Sequence, residues 1–148
     1  MITCGINNTE QCQARLAVEG RPNKDAWGPL FAPRAVGNLR KILATGAAIV
    51  ISSSWRYAHR LGSLRMMWKV RELPGEIIDT IPCGATYISR GEDIEFWHDE
   101  HERTDYVIID DLDDFSPAQH DRYIKTNPIV GITEADAQKA IEILNSKG

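Results

Sequence analysis

The sequence predicts an α/β domain built on a mainly parallel sheet with helices on both faces, and three observations carry that prediction. Two short runs, residues 47–51 and 106–109, are apolar and rich in β-branched residues, the pattern of strands covered on both faces. Each run ends in a polar cluster: Ser52-Ser53-Ser54-Trp55-Arg56 after the first, Asp110-Asp111-Leu112-Asp113-Asp114 after the second. Segments of helical periodicity alternate with the strands, as parallel strands joined by crossover helices require. Ligands in such sheets sit beyond the carboxyl ends of the strands. Hydroxyls that can donate to phosphate and carboxylates that can hold a divalent cation therefore converge on one crevice, which predicts magnesium-dependent phosphate chemistry.

Residues 1–30 read as an irregular N-terminal loop region, because Gly5, Asn7, Asn8, Gly20, Pro22, Asn23 and Gly28 interrupt every candidate period. Pro33 then suits the first turn of a helix. Val36, Leu39, Ile42 and Leu43 recur at helical spacing until Gly46 ends it. The strand 47–51 follows. Leu61, Leu64, Met67 and Trp68 form a second helical stripe, continued by Arg71 and stopped at Pro74-Gly75, with Met66, Met67 and Trp68 read as core filling. A short strand is expected at 76–79, and an amphipathic helix over 92–102, preceded by Gly91. The second strong strand spans 105–109 and a weaker one 122–126. Past Pro128, Thr133-Glu134-Ala135-Asp136 has the form of a capping box opening a last helix that runs to about 146. No repeat or low-complexity tract divides the chain, so residues 1–148 are expected to form a single domain.

Composition narrows the partners. With 148 residues and 43% hydrophobic content, the chain can bury a core without staples. Cys4, Cys12 and Cys83 show no CxxC pair, so they read as reduced thiols, and a cytoplasmic location is expected. A net charge of −4 with dispersed basic residues argues against a duplex nucleic-acid footprint, while leaving room for a phosphorylated small molecule or a nucleic-acid end. No run reaches membrane-spanning length.

Phe31-Ala32-Pro33-Arg34-Ala35-Val36, the serine cluster ending in Trp55-Arg56, Arg90-Gly91-Glu92-Asp93-Ile94, the Asp110-Asp111 pair and Val130-Gly131-Ile132-Thr133 occur in this order. Together they resemble the haloacid dehalogenase (HAD) phosphohydrolase superfamily, and most nearly the HAD domains of RNA-repair-associated (Swiss Army Knife) proteins. The resemblance covers residue 30 to the end. It implies a HAD-like, Rossmann-like sheet. It also implies that Ser53, or alternatively Ser52, binds the transferring phosphoryl group, that Arg90 neutralises phosphate charge, and that Asp110 and Asp111 position Mg2+, with Asp113 and Asp114 further out. A guanidinium suits bidentate phosphate contact, and hard oxygens suit magnesium.

The family's first motif, an apolar strand ending in DxDxT or DxDGVL, is missing. The acidic residues before residue 30 are Glu10, Glu19 and Asp25, and none follows an apolar run. The expectation is thus a HAD-like sheet lacking the family's first strand. Two explanations are open. One is a magnesium-dependent phosphohydrolase whose nucleophile motif lies upstream of Met1, which is favoured. The other is a catalytically inactive phosphate- or nucleotide-binding module. Among the remaining polar residues, Arg56 is expected to reach substrate or, the favoured reading, to pack with Trp55. His98 and His101, with Asp99 and Glu100, read as an exposed polar helix face rather than a metal cluster. Ser52 to Ser54 also suit an N-cap, Asp110-Asp111 a solvated acidic turn, and Arg90 a surface ion pair.

Overall fold

The computed structural model describes residues 2–4, 24–53, 55–82, 89–102, 105–128 and 130–146. Five strands form one wholly parallel sheet: β1 (Ile2–Cys4), β4 (Ile49–Ile51), β5 (Ile77–Thr80), β6 (Val107–Asp110) and β7 (Tyr123–Lys125), in the order β5-β4-β1-β6-β7. Between β1 and β4 lie a two-stranded hairpin, β2 (Lys24–Asp25) with β3 (Gly28–Pro29), and helix α1 (Pro33–Leu43). Helices α2 (Trp55–Ala58) and α3 (Leu61–Val70) follow β4, α4 (Arg90–Glu100) follows β5, a 3-10 turn (Pro117–Arg122) follows β6, and α5 (Glu134–Asn145) follows β7.

The strands alternate between two apolar layers, which explains why their sequences show no polar alternation. Ile49, Ile51, Val107 and Ile109 pack with Leu39 and Ile42 of α1, Leu64 and Met67 of α3, and Ala137 and Ala140 of α5. Val50 and Ile108, between them in sequence, face the other way onto Ile94 and Trp97 of α4. Both faces of β4 and β6 are dry, so polar side chains on these two strands are confined to their ends. Among the described residues, no helix is long and apolar enough to cross a membrane.

Three expectations are corrected. The sheet does have a central strand: Ile2 is in register with Ile49 on one side and Val107 on the other. A three-residue strand is too short to display a period, and its identity comes from partners on both edges. Residues 24–29, expected to be loop, form the hairpin. Met66 is exposed on α3, whereas Met67 and Trp68 are core, because successive helical positions lie about 100° apart.

Arg71 does not extend the apolar stripe of α3. It caps the helix and turns its guanidinium onto Asp25 in a two-point contact, Nε to Oδ2 at 2.8 Å and Nη2 to Oδ1 at 2.7 Å, lying 5.0 Å from the Phe31 ring centre. Asp25 also accepts from the Trp27 N–H at 2.9 Å, and the Trp27 indole donates to Ser63 Oγ at 3.2 Å. These contacts fasten the hairpin to α3. The Arg71 guanidinium holds the Asp25 carboxyl below its ordinary value of 3.8. A carboxyl depressed in the folded state contributes stability above its unfolded pKa, and that contribution fades as pH falls through the folded value. Denaturant titrations of wild type and Asp25→Asn should therefore differ most near neutral pH and converge as the Asp25 carboxyl is protonated in acid.

Candidate active site at the carboxyl edge of the sheet

The chain leaves β1 towards α1 on one face of the sheet, while it leaves β6 towards the 3-10 turn, which packs against α4 on the other. Adjacent strands whose connections diverge to opposite faces open a crevice between their carboxyl ends. Asp110 and Asp111 stand on one side of it. Ser52 and Ser53 stand across β1, at the end of β4.

Asp110 is the last residue of β6 and only 2% exposed. Its Oδ1 accepts from the Leu112 N–H at 3.0 Å and its Oδ2 from Arg90 Nη1 at 2.6 Å. The arginine and the aspartate assigned to one site by sequence are thus in direct contact. Burial pushes the Asp110 carboxyl up, the Leu112 amide and Arg90 pull it down, and Asp111 beside it adds to the rise. Nearby, Tyr123 donates its hydroxyl to the Leu112 carbonyl, and its pKa is raised to about 12 by burial and by Asp110, Asp113 and Asp111. A phenol surrounded by carboxylates keeps its proton, so Tyr123 braces the acidic loop as a donor.

Arg90 is positioned by the way α4 begins. Ser89 and Glu92 form a reciprocal capping box, the Arg90 N–H donates to Asp114 Oδ2 at 2.9 Å, and the Gly91 N–H to the Asp114 carbonyl at 3.0 Å. Gln119 donates to the Gly91 carbonyl at 2.8 Å. With these amides engaged, this end of α4 presents the Arg90 side chain rather than its first backbone N–H groups. The loop after β6 lies so close to the helix that a Cβ on Gly91 would sit 2.4 Å from Gln119 Oε1 and 2.9 Å from the Asp114 carbonyl oxygen.

Ser52 is fully buried, and its Oγ has no hydrogen-bond partner among the described residues. Strand alternation carried past Ile51 puts Ser52 on the Val50 side, towards α4. Ser53, the first choice from sequence, is half-buried and accepts the Arg56 N–H through its carbonyl at 3.1 Å. Arg56 makes a buried ion pair; the expected packing with Trp55 involves a side chain that lies outside those described. Arg56 Nη2 meets Asp93 Oδ2 at 3.0 Å, with the two side chains 3% and 7% exposed, and its Nη1 donates to the Ser52 carbonyl at 2.8 Å. This pair ties the end of β4 to α4 one turn past Arg90. It was illegible in sequence because its members are 37 positions apart.

His98 is not on an exposed face: it is buried and stacks on Tyr106 at 3.8 Å between ring centres, because α4 turns it onto the entry to β6. Its neighbours Asp99 and Glu100 are exposed, and His101 stacks on Trp97 at 4.0 Å. Among the described residues, no group of three or more His, Cys, Asp or Glu is disposed to hold a metal. Magnesium commonly takes only one or two carboxylates and completes its shell with water and substrate phosphate. The hard, adjacent carboxylates of Asp110 and Asp111, one of them buried, fit that mode.

Two substitutions test the framework. Gly91→Ala forces Gln119 and the loop after β6 to shift, and should lower stability by about 1–3 kcal/mol in chemical denaturation. Arg56→Ala leaves Asp93 charged and buried without its cation, and should cost about 3–5 kcal/mol, with Arg56→Lys losing less.

A family model described as the HAD domain in Swiss Army Knife RNA repair proteins matches residues 5–137. Neither a curated protein nor a solved structure matches significantly. The match starts immediately after β1 and takes in the Ser52, Arg90 and Asp110 elements together, extending the resemblance well upstream of residue 30. The chain belongs to this family of HAD domains, and its parallel sheet is that of a HAD-type hydrolase fold.

Proposed function

We propose that the crevice is the phosphate-ester site of a magnesium-dependent HAD-type phosphohydrolase, acting on a nucleotide or a nucleic-acid end. The observation that carries the reading is the contact between Arg90, delivered by the start of α4, and Asp110, delivered by the end of β6, at a sheet edge that also presents serine hydroxyls. Arg90 offers a planar donor pair to phosphoryl oxygens, and its bond to Asp110 keeps the guanidinium oriented before a ligand arrives. The Ser52 or Ser53 hydroxyl donates to a further phosphoryl oxygen from the other side of β1. Asp110 and Asp111 would hold magnesium, which neutralises developing charge on the phosphoryl group. The aspartyl nucleophile of the family has no counterpart at the end of β1, where the sequence continues Cys4-Gly5-Ile6-Asn7. Turnover requires a carboxylate there, since an attack by unassisted water faces a very high barrier.

A second reading, a binding module without turnover, is favoured by one observation: Ile2–Cys4 already fills the place between β4 and β6. Any upstream strand carrying the nucleophile would have to displace it.

Residues 1–148 should show essentially no magnesium-dependent hydrolysis of a generic phosphate monoester. A chain extended upstream by an apolar strand ending in DxDGVL should hydrolyse it, and Asp111→Asn in that chain should remove most of the activity. An extended chain that binds phosphate esters yet stays inactive establishes the second reading. Robust turnover by residues 1–148 that survives Asp110→Asn and Asp111→Asn overturns both.

A further inference from the structure

The phosphate-ester reading leaves one side chain at the crevice unused. Tyr57 is 63% exposed, the most exposed large hydrophobic side chain among the described residues. Its position is nevertheless fixed. Its hydroxyl accepts from Arg56 Nη2 at 3.0 Å, and the guanidinium carbon lies 5.0 Å from its ring centre. The same Nη2 is bonded to Asp93 Oδ2, and Nη1 of that guanidinium to the Ser52 carbonyl. Asp93 lies one helical turn beyond Arg90, and Ser52 follows β4, so the ring is tied through Arg56 to the two elements that supply the proposed phosphate contacts.

An exposed aromatic ring leaves apolar surface in water, and one held at its polar end by a buried ion pair has lost the freedom to fold it away. A flat, pre-organised ring backed by a guanidinium suits one kind of partner well: another flat π-system. Stacking on an aromatic side chain is a sequence-tolerant way of holding a nucleobase, and Arg adds to it through its own plane and charge.

We propose that Tyr57 is the base platform of this site, so that the ligand is a nucleoside phosphate whose phosphate meets Arg90 and whose base stacks on the Tyr57 ring. This rests on the phosphate-ester reading and narrows it: a sugar phosphate without a base engages only half of the site. The Arg56–Asp93 pair is a positioning device here, holding the platform and the β4 serines in one frame.

The test is calorimetric binding to the 148-residue chain. Adenosine 5′-monophosphate should bind about tenfold or more tightly than ribose 5-phosphate. Tyr57→Ala should abolish most of that difference by weakening the nucleotide alone, and Tyr57→Trp should restore it. Tyr57→Phe, which keeps the ring and loses the hydroxyl bond, should fall between. A short oligonucleotide with a terminal phosphate separates two sources of the ligand: binding tighter than the mononucleotide indicates a strand end, equal binding a free nucleotide, and both support the platform. Equal affinity of the wild type for the nucleotide and ribose 5-phosphate, or equal weakening of both by Tyr57→Ala, overturns the platform and leaves the phosphate site standing. Binding of neither ligand overturns both.

Discussion

Both faces of the central sheet are apolar, and this one constraint sets where everything else can be. A residue of β4 or β6 that faced either layer with a polar group would lose its water and meet only apolar side chains. Polar chemistry is therefore expelled to the carboxyl edge, where Ser52 and Asp110 take the first positions past the dry layers. The crevice is a consequence of the core.

Charged groups at such an edge are half out of water and costly unless each is matched. The structure matches them pairwise around the first two turns of α4: Arg90 with Asp110, and Arg56 with Asp93. Asp114 and Gln119 close the remaining backbone valences of the helix start. One helix end thereby fixes the register of β4, β6 and the acidic loop relative to one another. Such a frame keeps Arg90 and Asp110 in a fixed relation without a ligand having to order them. The buried Ser52 hydroxyl and Arg56 Nε have no hydrogen-bond partner among the described residues.

Away from the crevice, the same logic secures the hairpin that precedes α1. Arg71 reaches from the end of α3 to Asp25 and lies against Phe31, while Trp27 packs against the core and donates to Ser63, so the segment is held by a guanidinium and an indole together. Asn38 does similar work on the other side, donating from α1 to the Ile132 carbonyl at 2.8 Å, just before the Thr133 cap of α5. Polar contacts at element ends join layers whose apolar contacts alone would permit sliding.

The sequence by itself determined what is written in local chemistry. The two buried strands, the Pro33 start of α1 and the Thr133–Asp136 capping box of α5 follow from residues within four or five positions of one another, where backbone geometry makes neighbours predictable. The motif order also brought Arg90 and Asp110 together, and the two are in contact. Tertiary structure decided the rest. Ile2–Cys4 is a strand because β4 and β6 flank it, Arg71 turns to Asp25 across 46 positions, Arg56 pairs with Asp93 across 37, and His98 is buried because Tyr106 meets it. No local pattern encodes such contacts. They exist only once layer packing has brought distant residues together, and burial then requires each buried charge to find a partner.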